Sequence, residues 1–240
     1  PLALIMAKQI KGTDSYSLLP AINTVPGVSM ESRGFGGSHR LSIRGSALRS
    51  PFAVRNIKMY IDGIPMTSPD GQTPLELMDA LDIERLEIIK GPASTVYGSG
   101  NGGVILAETP RIKPGTTTSS ASFQAGSYGS YRSTATAAIG INNGGFRISH
   151  VWQDVLGYRK QGGNHKNQFT LTYQGFPREK QRITAYLTYF DGLWELPGAL
   201  NSAQRDTMPT MAVGFSEING AKLQRQRIHG GIGHRYKGKT

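Results

Sequence analysis

Apolar and polar residues alternate along this chain in two different ways, and the change falls near residue 115. In residues 116–240 the period is two, as in Phe146 to Gln153 and Arg182 to Tyr189. One face of each such segment is apolar, and the other is polar or cationic. This pattern predicts antiparallel β-strands that meet an apolar phase on one side and polar groups on the other. Turn sequences at 142–145 and 175–177 are expected to separate the strands.

Residues 1–115 have a less regular pattern, which predicts a small mixed domain. Apolar residues at helical spacing predict short helices at 15–24 and 75–81. Short apolar runs predict four strands, at 41–44, 57–61, 86–89 and 104–107. The pair Asp62-Gly63 is typical of a tight turn after the second of these strands.

The alternation in the second half fits two architectures equally well. A transmembrane β-barrel has its apolar face towards lipid, whereas a soluble β-sandwich has it towards a core. Aromatic residues near predicted strand ends favour the barrel slightly: Trp152, Tyr173, Tyr189 and Phe190. No apolar run approaches the roughly 20 residues of a spanning helix. The segment 191–220 has no clear period and is expected to form a long loop.

Charge narrows the choice of partners. The net charge is +11, and residues 116–240 carry 15 Lys and Arg against 6 Asp and Glu. Such a basic half suits an anionic ligand, anionic lipid or nucleic acid. The cations are scattered singly, without a dense run or a recognition helix, so nucleic acid is the weakest of the three and is not expected. The absence of cysteine excludes disulfides and thiolate metal sites.

Motifs for covalent chemistry are missing or lie in the wrong context. Gly98, Gly100 and Gly103 have the spacing of a dinucleotide loop, but a turn precedes them and a predicted strand follows, where a helix is needed. The five histidines are dispersed, and no catalytic triad or calcium-loop spacing occurs. We therefore expect no enzyme activity, no cofactor and no built-in metal site.

Several ordered motifs in the first half together carry a family resemblance. They are Val25-Pro-Gly-Val28, Ile43-Arg-Gly45, Tyr60-Ile-Asp-Gly-Ile-Pro65, Ile83-Glu-Arg-Leu-Glu-Ile-Ile-Lys-Gly-Pro-Ala-Ser94, Val96-Tyr-Gly98 and Gly102-Gly-Val-Ile105. In this order and rough spacing they closely resemble the plug domain of TonB-dependent outer-membrane receptors. The fold class implied is a mixed α+β plug domain, residues 1–115, followed by antiparallel β-strands of a large transmembrane β-barrel, residues 116–240, which is incomplete here.

The resemblance implies a receptor in the outer membrane of a Gram-negative bacterium, surrounded by outer-membrane lipid. It would import a scarce solute, above all a ferric siderophore. Residues 126–132 and 196–198 look loosely like the ferric-citrate branch. Energy would come from TonB, through an N-terminal segment that lies outside this sequence. A plugged barrel has roughly 22 strands, and residues 116–240 can supply only five or six, so the chain is expected to be part of a longer protein.

Two loops are the candidate ligand-binding regions, because the resemblance implies that loops near these positions point outwards. The first is residues 31–40, where cations and a ring suit an anionic chelate: Arg33, Phe35, His39 and Arg40. The second is residues 66–73, which offers polar groups: Ser68, Asp70 and Gln72.

Contacts between the plug and the barrel are expected to be polar, because a plug that must move cannot be held by a dry apolar core. Arg44, Arg85 and Glu87 are the candidates for such contacts. Cations on the polar face of the strands, Arg132, Arg147 and Arg182, are expected to face the lumen and to favour an anionic ligand.

Two other functions stay open on sequence grounds. The chain could be a structural or secretion-linked outer-membrane component that transports nothing. It could also be a soluble basic β-protein that binds polyanions, in which case its binding would be sensitive to salt.

Overall fold

The structure is a computed structural model, and it describes residues 2–13, 16–32, 39–46, 54–91, 94–98, 102–178 and 180–238. Within these residues the chain forms a small first domain and a separate six-stranded sheet, with a connection between Glu108 and Thr117. The division expected at residue 115 lies in this connection and stays a prediction.

The first domain combines short strands with short helices. Its described strands are β1 (Leu2–Met6), β2 (Val28–Ser32), β3 (His39–Ile43), β4 (Ile57–Ile61), β5 (Ile64–Pro65), β6 (Arg85–Lys90) and β7 (Gly103–Glu108). Its described helices are α1 (Ala7–Thr13), α2 (Leu19–Asn23) and α3 (Ser94–Tyr97). Five strands form one sheet in the order β1-β6-β7-β4-β5, and β2 pairs with β3 in a separate hairpin.

Alternation explains the central strands of this domain. Ile57, Met59 and Ile61 are almost fully buried on one face of β4, and Asp62 and Gly63 then adopt the positive φ angles that a tight turn needs. The four predicted strands are confirmed to within two residues at each end. The predicted helix at 75–81 is instead two 3₁₀ turns, Leu75–Leu77 and Ala80–Asp82.

The second half forms a meander in which each strand pairs antiparallel with the next, and we call this sheet the wall. Its strands are β8 (Thr117–Gly126), β9 (Ser130–Ile141), β10 (Gly144–Val155), β11 (Asn164–Arg178), β12 (Gln181–Glu195) and β13 (Lys222–Tyr236). The predicted alternation is confirmed. Phe146, Ile148 and Leu171 are about half exposed on the outer face, whereas Gln168 and Thr170 are buried on the inner face.

Three expectations about the second half were wrong. The strand β11 does not turn at 175–177 but continues to Arg178 through a bulge, which absorbs the irregular Gly-Phe-Pro sequence. Phe190 is fully buried on the inner face and does not belong to an outer aromatic girdle. The segment 191–220 is not one loop, because β12 runs on to Glu195 and two helices follow: α4 (Ser202–Thr207) and α5 (Gly214–Ile218).

The two ends of the wall differ in the length of their connections. At one end, which we call the short-turn end, only residues 142–143 and 179–180 link the strands. At the other, the long-loop end, the links include 156–163 and 196–221. In outer-membrane barrels, short turns face the periplasm and long loops face the outside. Among the described residues, no helix is long and apolar enough to cross a bilayer.

A glycine notch in β13 receives the tip of the β4–β5 hairpin. A Cβ atom built on Gly231 would lie 2.7 Å from Cγ2 of Ile64, and one on Gly233 would lie 3.7 Å from Cγ1 of Ile64. Ile64 itself is buried. Glycine at 231 therefore allows the first domain to approach the wall more closely than any other residue would.

We expect Gly231→Ala to weaken the docking of this hairpin by about 1–3 kcal/mol, because the added methyl group overpacks the notch. Hydrogen exchange of the β4 and β5 amides should become faster. Gly214→Ala is the matched control, since a Cβ there meets nothing within 4 Å. Ile64→Ala in the Gly231→Ala background should restore part of the protection, and no restoration would contradict this account of the notch.

Candidate functional site: the contact between the first domain and the wall

Residues 75–82, which we call the acidic segment, run along the inner face of the wall. Its three acids, Glu76, Asp79 and Asp82, are three positions apart, and each one meets a cation that the alternation of a wall strand turns inwards. The buried neighbours Leu75 and Leu77 anchor the segment in the core of the first domain. The apolar residues of this segment thus face the core of the first domain, and its acidic residues face the wall.

Asp79 lies at the centre of the most deeply buried ion cluster. Its two carboxylate oxygens accept from Arg132 Nη2 at 2.7 Å and from Lys166 Nζ at 2.7 Å. The side chains of Asp79 and Arg132 are each only 2% exposed. Burial alone would raise the pKa of Asp79, but Lys166 and Arg132 hold that pKa well below its usual range. Asp79 is therefore charged at neutral pH.

Asp82, three residues after Asp79, is also bound by wall side chains. Its Oδ1 accepts from Arg147 Nη1 at 2.6 Å and from the Ser149 hydroxyl at 2.6 Å. Main-chain carbonyls of the same segment also take part, since Arg147 Nη2 donates to Leu81 O at 3.1 Å and Gln168 Nε2 donates to Leu77 O at 3.1 Å. Wall side chains thus bind both the charged groups and the main chain of the acidic segment, while Asp82 Oδ2 is buried without a hydrogen-bond partner among the described residues.

Two further acids, which form three ion pairs, complete the contact. Glu76 Oε1 lies 2.8 Å from Arg225 Nη1 and 3.5 Å from Arg227 Nε, both on β13. Asp62, at the β4–β5 turn, lies 3.4 Å from Arg182 and accepts from the Thr109 hydroxyl. Burial raises the pKa of Asp62, and Thr109 and Arg182 oppose this rise. The acidic segment and this turn together contact β9, β10, β11, β12 and β13.

The rest of the interface is mixed, and this refines the expectation of purely polar contacts. Much of the inner face is lined by buried amides and hydroxyls: Ser149, Gln153, Asn164, Gln168, Thr170, Thr172, Gln174, Thr184 and Thr188. One strip of β12 differs, because Tyr186, Phe190 and Trp194 are buried in the core cluster of the first domain. The wall therefore holds the first domain by exchangeable polar bonds and by one aromatic strip.

His39 borders a small cavity between the first domain and the wall. The cavity measures about 40 Å³, and its lining includes Glu76, Asp79, Lys166 and Trp194. The Nδ1 atom of His39 is buried and has no hydrogen-bond partner among the described residues. Burial lowers the pKa of His39 to about 4, Glu76 opposes this shift, and Lys166 adds to it. The ring is therefore neutral at pH 7.

The other predicted ligand-binding residues lie in separate places, and their role stays a prediction. Arg33 and Phe35 fall outside the described residues. Arg40 lies in the β2–β3 hairpin opposite Glu31. The second loop is a compact turn of the main chain, in which the Gln72 amide donates to Asp70 Oδ1 at 3.1 Å and the Ser68 amide to the Gln72 carbonyl at 2.8 Å. The cavity at His39 includes none of these turn residues.

The residues proposed for contacts with the barrel are found within the first domain. Arg85 lies 2.8 Å from Glu108 on the neighbouring strand β7 and 3.0 Å from Glu87 on its own strand β6. Arg44 is exposed, has a positive φ of 51°, and donates its amide to Gly27. Their role in contacting barrel strands is not tested by the six strands of this wall and stays a prediction.

The lumen-facing cations behave differently from what the sequence suggested. Arg132, Arg147 and Arg182 do face inwards, but each is paired with an aspartate of the first domain. Their charge is thus already balanced. Sequence reasoning missed Glu76, Asp79 and Asp82 as their partners. The available signal was the spacing of three acids, three residues apart, within a short helical stretch of otherwise apolar residues.

Fold and interface together define a class of architecture, a small mixed domain held on the inner face of an open antiparallel sheet whose outer face is apolar. Comparison with known proteins gives the family. Residues 2–105 match the model described as TonB-dependent Receptor Plug Domain. Residues 2–105 thus carry the plug domain of TonB-dependent receptors, and the antiparallel strands that follow match the barrel fold of such receptors. Members of this family are outer-membrane proteins of Gram-negative bacteria, and they are not enzymes.

Individual relatives are more distant. The vitamin B12 transporter BtuB of Photobacterium profundum is 24% identical over 147 residues, which are 61% of this chain and 23% of that protein. The unliganded ferric citrate transporter FecA has a TM-score of 0.76 at 19% identity, over 100% of this chain and 37% of that one. The siderophore receptor PirA from Acinetobacter baumannii has a TM-score of 0.67 at 16% identity, over 97% of this chain and 37% of that one. The chain thus spans well under half the length of these proteins.

We expect Asp79→Asn to loosen the plug by about 3–5 kcal/mol, because it leaves Arg132 buried without its counter-ion. The measurement is limited proteolysis of the plug in folded protein, with hydrogen exchange of β6 as a second readout. Asp70→Asn, on the exposed 68–72 turn, removes the same charge without touching the wall. In the Asp79→Asn background, Arg132→Met should recover part of the loss, because the most deeply buried uncompensated charge is then removed and only Lys166, which is 13% exposed, still lacks its counter-ion. Equal rates of proteolysis for all these variants would contradict the assignment of Asp79 as a contact that holds the plug on the wall.

We also expect the plug to lose stability in mild acid because of His39. The pKa of His39 is lower in the folded state than its usual 6.5, so the unfolded chain takes up this proton first as the pH falls. Stability should then decrease from about pH 6.5 down to about pH 4. His39→Gln should flatten this part of the pH profile of β3 hydrogen exchange, whereas exposed His234→Gln should leave it unchanged. Identical profiles for wild type and His39→Gln would refute the proposal.

Proposed function

We propose that this chain forms the plug and the first barrel strands of a TonB-dependent transporter that imports a ferric siderophore. The observation that carries the transport proposal is the ionic seating of the acidic segment on four wall strands. Such contacts hold the plug in one register, yet water can replace each of them when the plug moves. A plug that had to stay fixed would gain more from apolar packing, which among the described contacts is mostly limited to one strip of β12 and the glycine notch of β13.

The connectivity of the plug suggests how a pull would reach these contacts. The strand β1 is at the edge of the plug sheet and pairs with β6. The amide of Ala7, just after β1, donates to the carbonyl of Glu84 at 2.7 Å, and Asp82 lies two residues before Glu84. Force applied by TonB near the N-terminal side of the plug would therefore act first on an edge strand. Separation of β1 from β6 would remove the hydrogen bonds that hold the chain next to Asp82.

Two kinds of cargo deserve comparison. A ferric siderophore is supported by the basic composition, by the cations Arg33 and Arg40 in the first loop, and by the similarity to FecA and PirA, whose names state ferric citrate and siderophores. A corrinoid is supported by the similarity to BtuB, whose name states vitamin B12. Most ferric siderophore chelates carry negative charge, which suits cationic loops. Binding of a corrinoid does not depend on cationic loops.

The test uses cells that express the complete product of the gene encoding this chain. We expect uptake of a labelled ferric siderophore that requires TonB. Arg33→Ala with Arg40→Ala should raise the Kd for the chelate roughly tenfold or more, because charge-assisted hydrogen bonds are lost. Arg205→Ala, an exposed cation at the long-loop end, is the control. Uptake of cyanocobalamin alone would reject the siderophore, and the absence of any TonB-dependent uptake would reject transport.

A further inference from the structure

The two ends of the wall differ in charge as well as in loop length. At the short-turn end, five exposed cations lie on the turns and strand ends: Arg111, Lys113, Arg178, Lys180 and Lys237. We call these five residues the basic rim. Within the described part of the chain, none of them forms an ion pair. The described acids near this end, Asp62, Glu84 and Glu108, belong to the plug; Asp62 is paired with Arg182 and Glu108 with Arg85. Glu179, which stands between Arg178 and Lys180 in the sequence, lies outside the described residues.

At the long-loop end, by contrast, three cations have hydrogen-bond or ion-pair partners nearby. Lys160 lies 3.6 Å from Glu217, and Arg205 lies 3.0 Å from Asp206. Arg159 donates to three main-chain carbonyls, those of Met211, Gly198 and Pro197. The charge at that end is therefore mostly balanced locally. The surplus positive charge of the strand half is concentrated at the short-turn end.

Backbone contacts hold the basic rim together as one surface. The amide of Lys237 donates to the carbonyl of Lys180 at 2.8 Å, which joins the end of β13 to the β11–β12 turn. The guanidinium of Arg111 lies 5.6 Å from the ring centre of Phe176, so the chain leaving the plug lies against the end of β11. Three separate stretches of chain thus place their cations along one edge.

Apolar and aromatic groups border this edge on the outer face. Phe146 and Ile141 are about half exposed, and Tyr236 is 62% exposed. In outer-membrane barrels an apolar outer band ends in aromatic residues at the level of the lipid headgroups. The cations at the strand ends, Arg178, Lys180 and Lys237, therefore lie beyond the end of the apolar band, at the depth where phosphate groups of a bilayer are found. Arg111 and Lys113 flank Ile112, whose amide donates to the inner-face residue Gln174, so these two cations border the same edge from the inner side.

We propose that the basic rim binds anionic phospholipid headgroups of the leaflet at the short-turn end of the barrel. Long Lys and Arg side chains can lay their methylene groups along the apolar band and place their charges among the phosphates. Neutral zwitterionic lipids offer no net charge to this edge. Binding should therefore select phosphatidylglycerol-like lipids and anchor the barrel at a fixed depth, whatever solute the receptor carries.

The test compares lipids on the complete, detergent-solubilised gene product. Dioleoyl phosphatidylglycerol or dioleoyl phosphatidylcholine is added, and bound lipid is counted by native mass spectrometry. We expect roughly tenfold tighter retention of phosphatidylglycerol at low salt, because several cations each attract the headgroup, and a loss of this preference at high salt. The variant Arg178→Gln, Lys180→Gln, Lys237→Gln should lose most of the preference.

A matched variant removes three cations from the other end: Lys160→Gln, Arg205→Gln and Lys222→Gln. It has the same net charge as the first variant and should keep the preference for phosphatidylglycerol. Circular dichroism of both variants checks that strand content is unchanged. An equal loss in both variants, or no preference in the wild type, would overturn the proposal. Displacement of phosphatidylglycerol by millimolar inorganic phosphate would also overturn it, because the site would then bind free anions. A failure to transport siderophores leaves this result unaffected.

Discussion

The structure depends on one electrostatic constraint, which is that a carboxylate buried between the plug and the wall must find a cation there. An ionised group removed from water without a partner costs several kcal/mol. Asp79, which is only 2% exposed, meets this requirement with both Arg132 and Lys166. Because the two cations belong to β9 and β11, the aspartate can be satisfied in only one position relative to the wall. Charge pairing therefore sets the register of the plug inside the sheet.

The same pairing limits how firmly the plug is held. The attraction within a buried ion pair is largely offset by the cost of desolvating both groups, so such a pair specifies a position more than it stabilises it. The hydroxyls and amides around it, such as Ser149 and Gln168, bind equally well to water. Among the described residues, apolar packing comes mainly from Tyr186, Phe190 and Trp194 on β12 and from Ile64 in the glycine notch of β13. The interface thus combines a precise position with a moderate barrier to leaving it, as a movable plug requires.

The sequence pattern predicted correctly those features that depend on residues close together in the chain, such as strand position and side-chain direction. Alternation placed Ile57 to Ile61 in a strand and gave the correct inner and outer faces for Arg147 and Leu171, because side-chain direction repeats every two residues. The sequence pattern gave wrong or missing predictions where a contact between residues far apart in the chain determines the structure. Phe190 resembles a girdle residue near a strand end, yet its register turns it inwards against the plug. The pair Asp79 and Arg132 is 53 residues apart in sequence, and only the fold brings the two charges together.

The paired cations also bear on the idea that a basic lumen attracts an anionic cargo. In the seated plug, Asp79 and Asp82 offset two of the three positive charges of Arg132, Arg147 and Lys166, so most of this charge is not offered to a solute. Any movement that withdraws the acidic segment separates these opposite charges and leaves the cations on the wall. A path opened in this way would be lined by more positive charge while the plug is displaced than while it is seated. The polarity of the lumen is therefore a property of the plug's position, and composition alone could not reveal it.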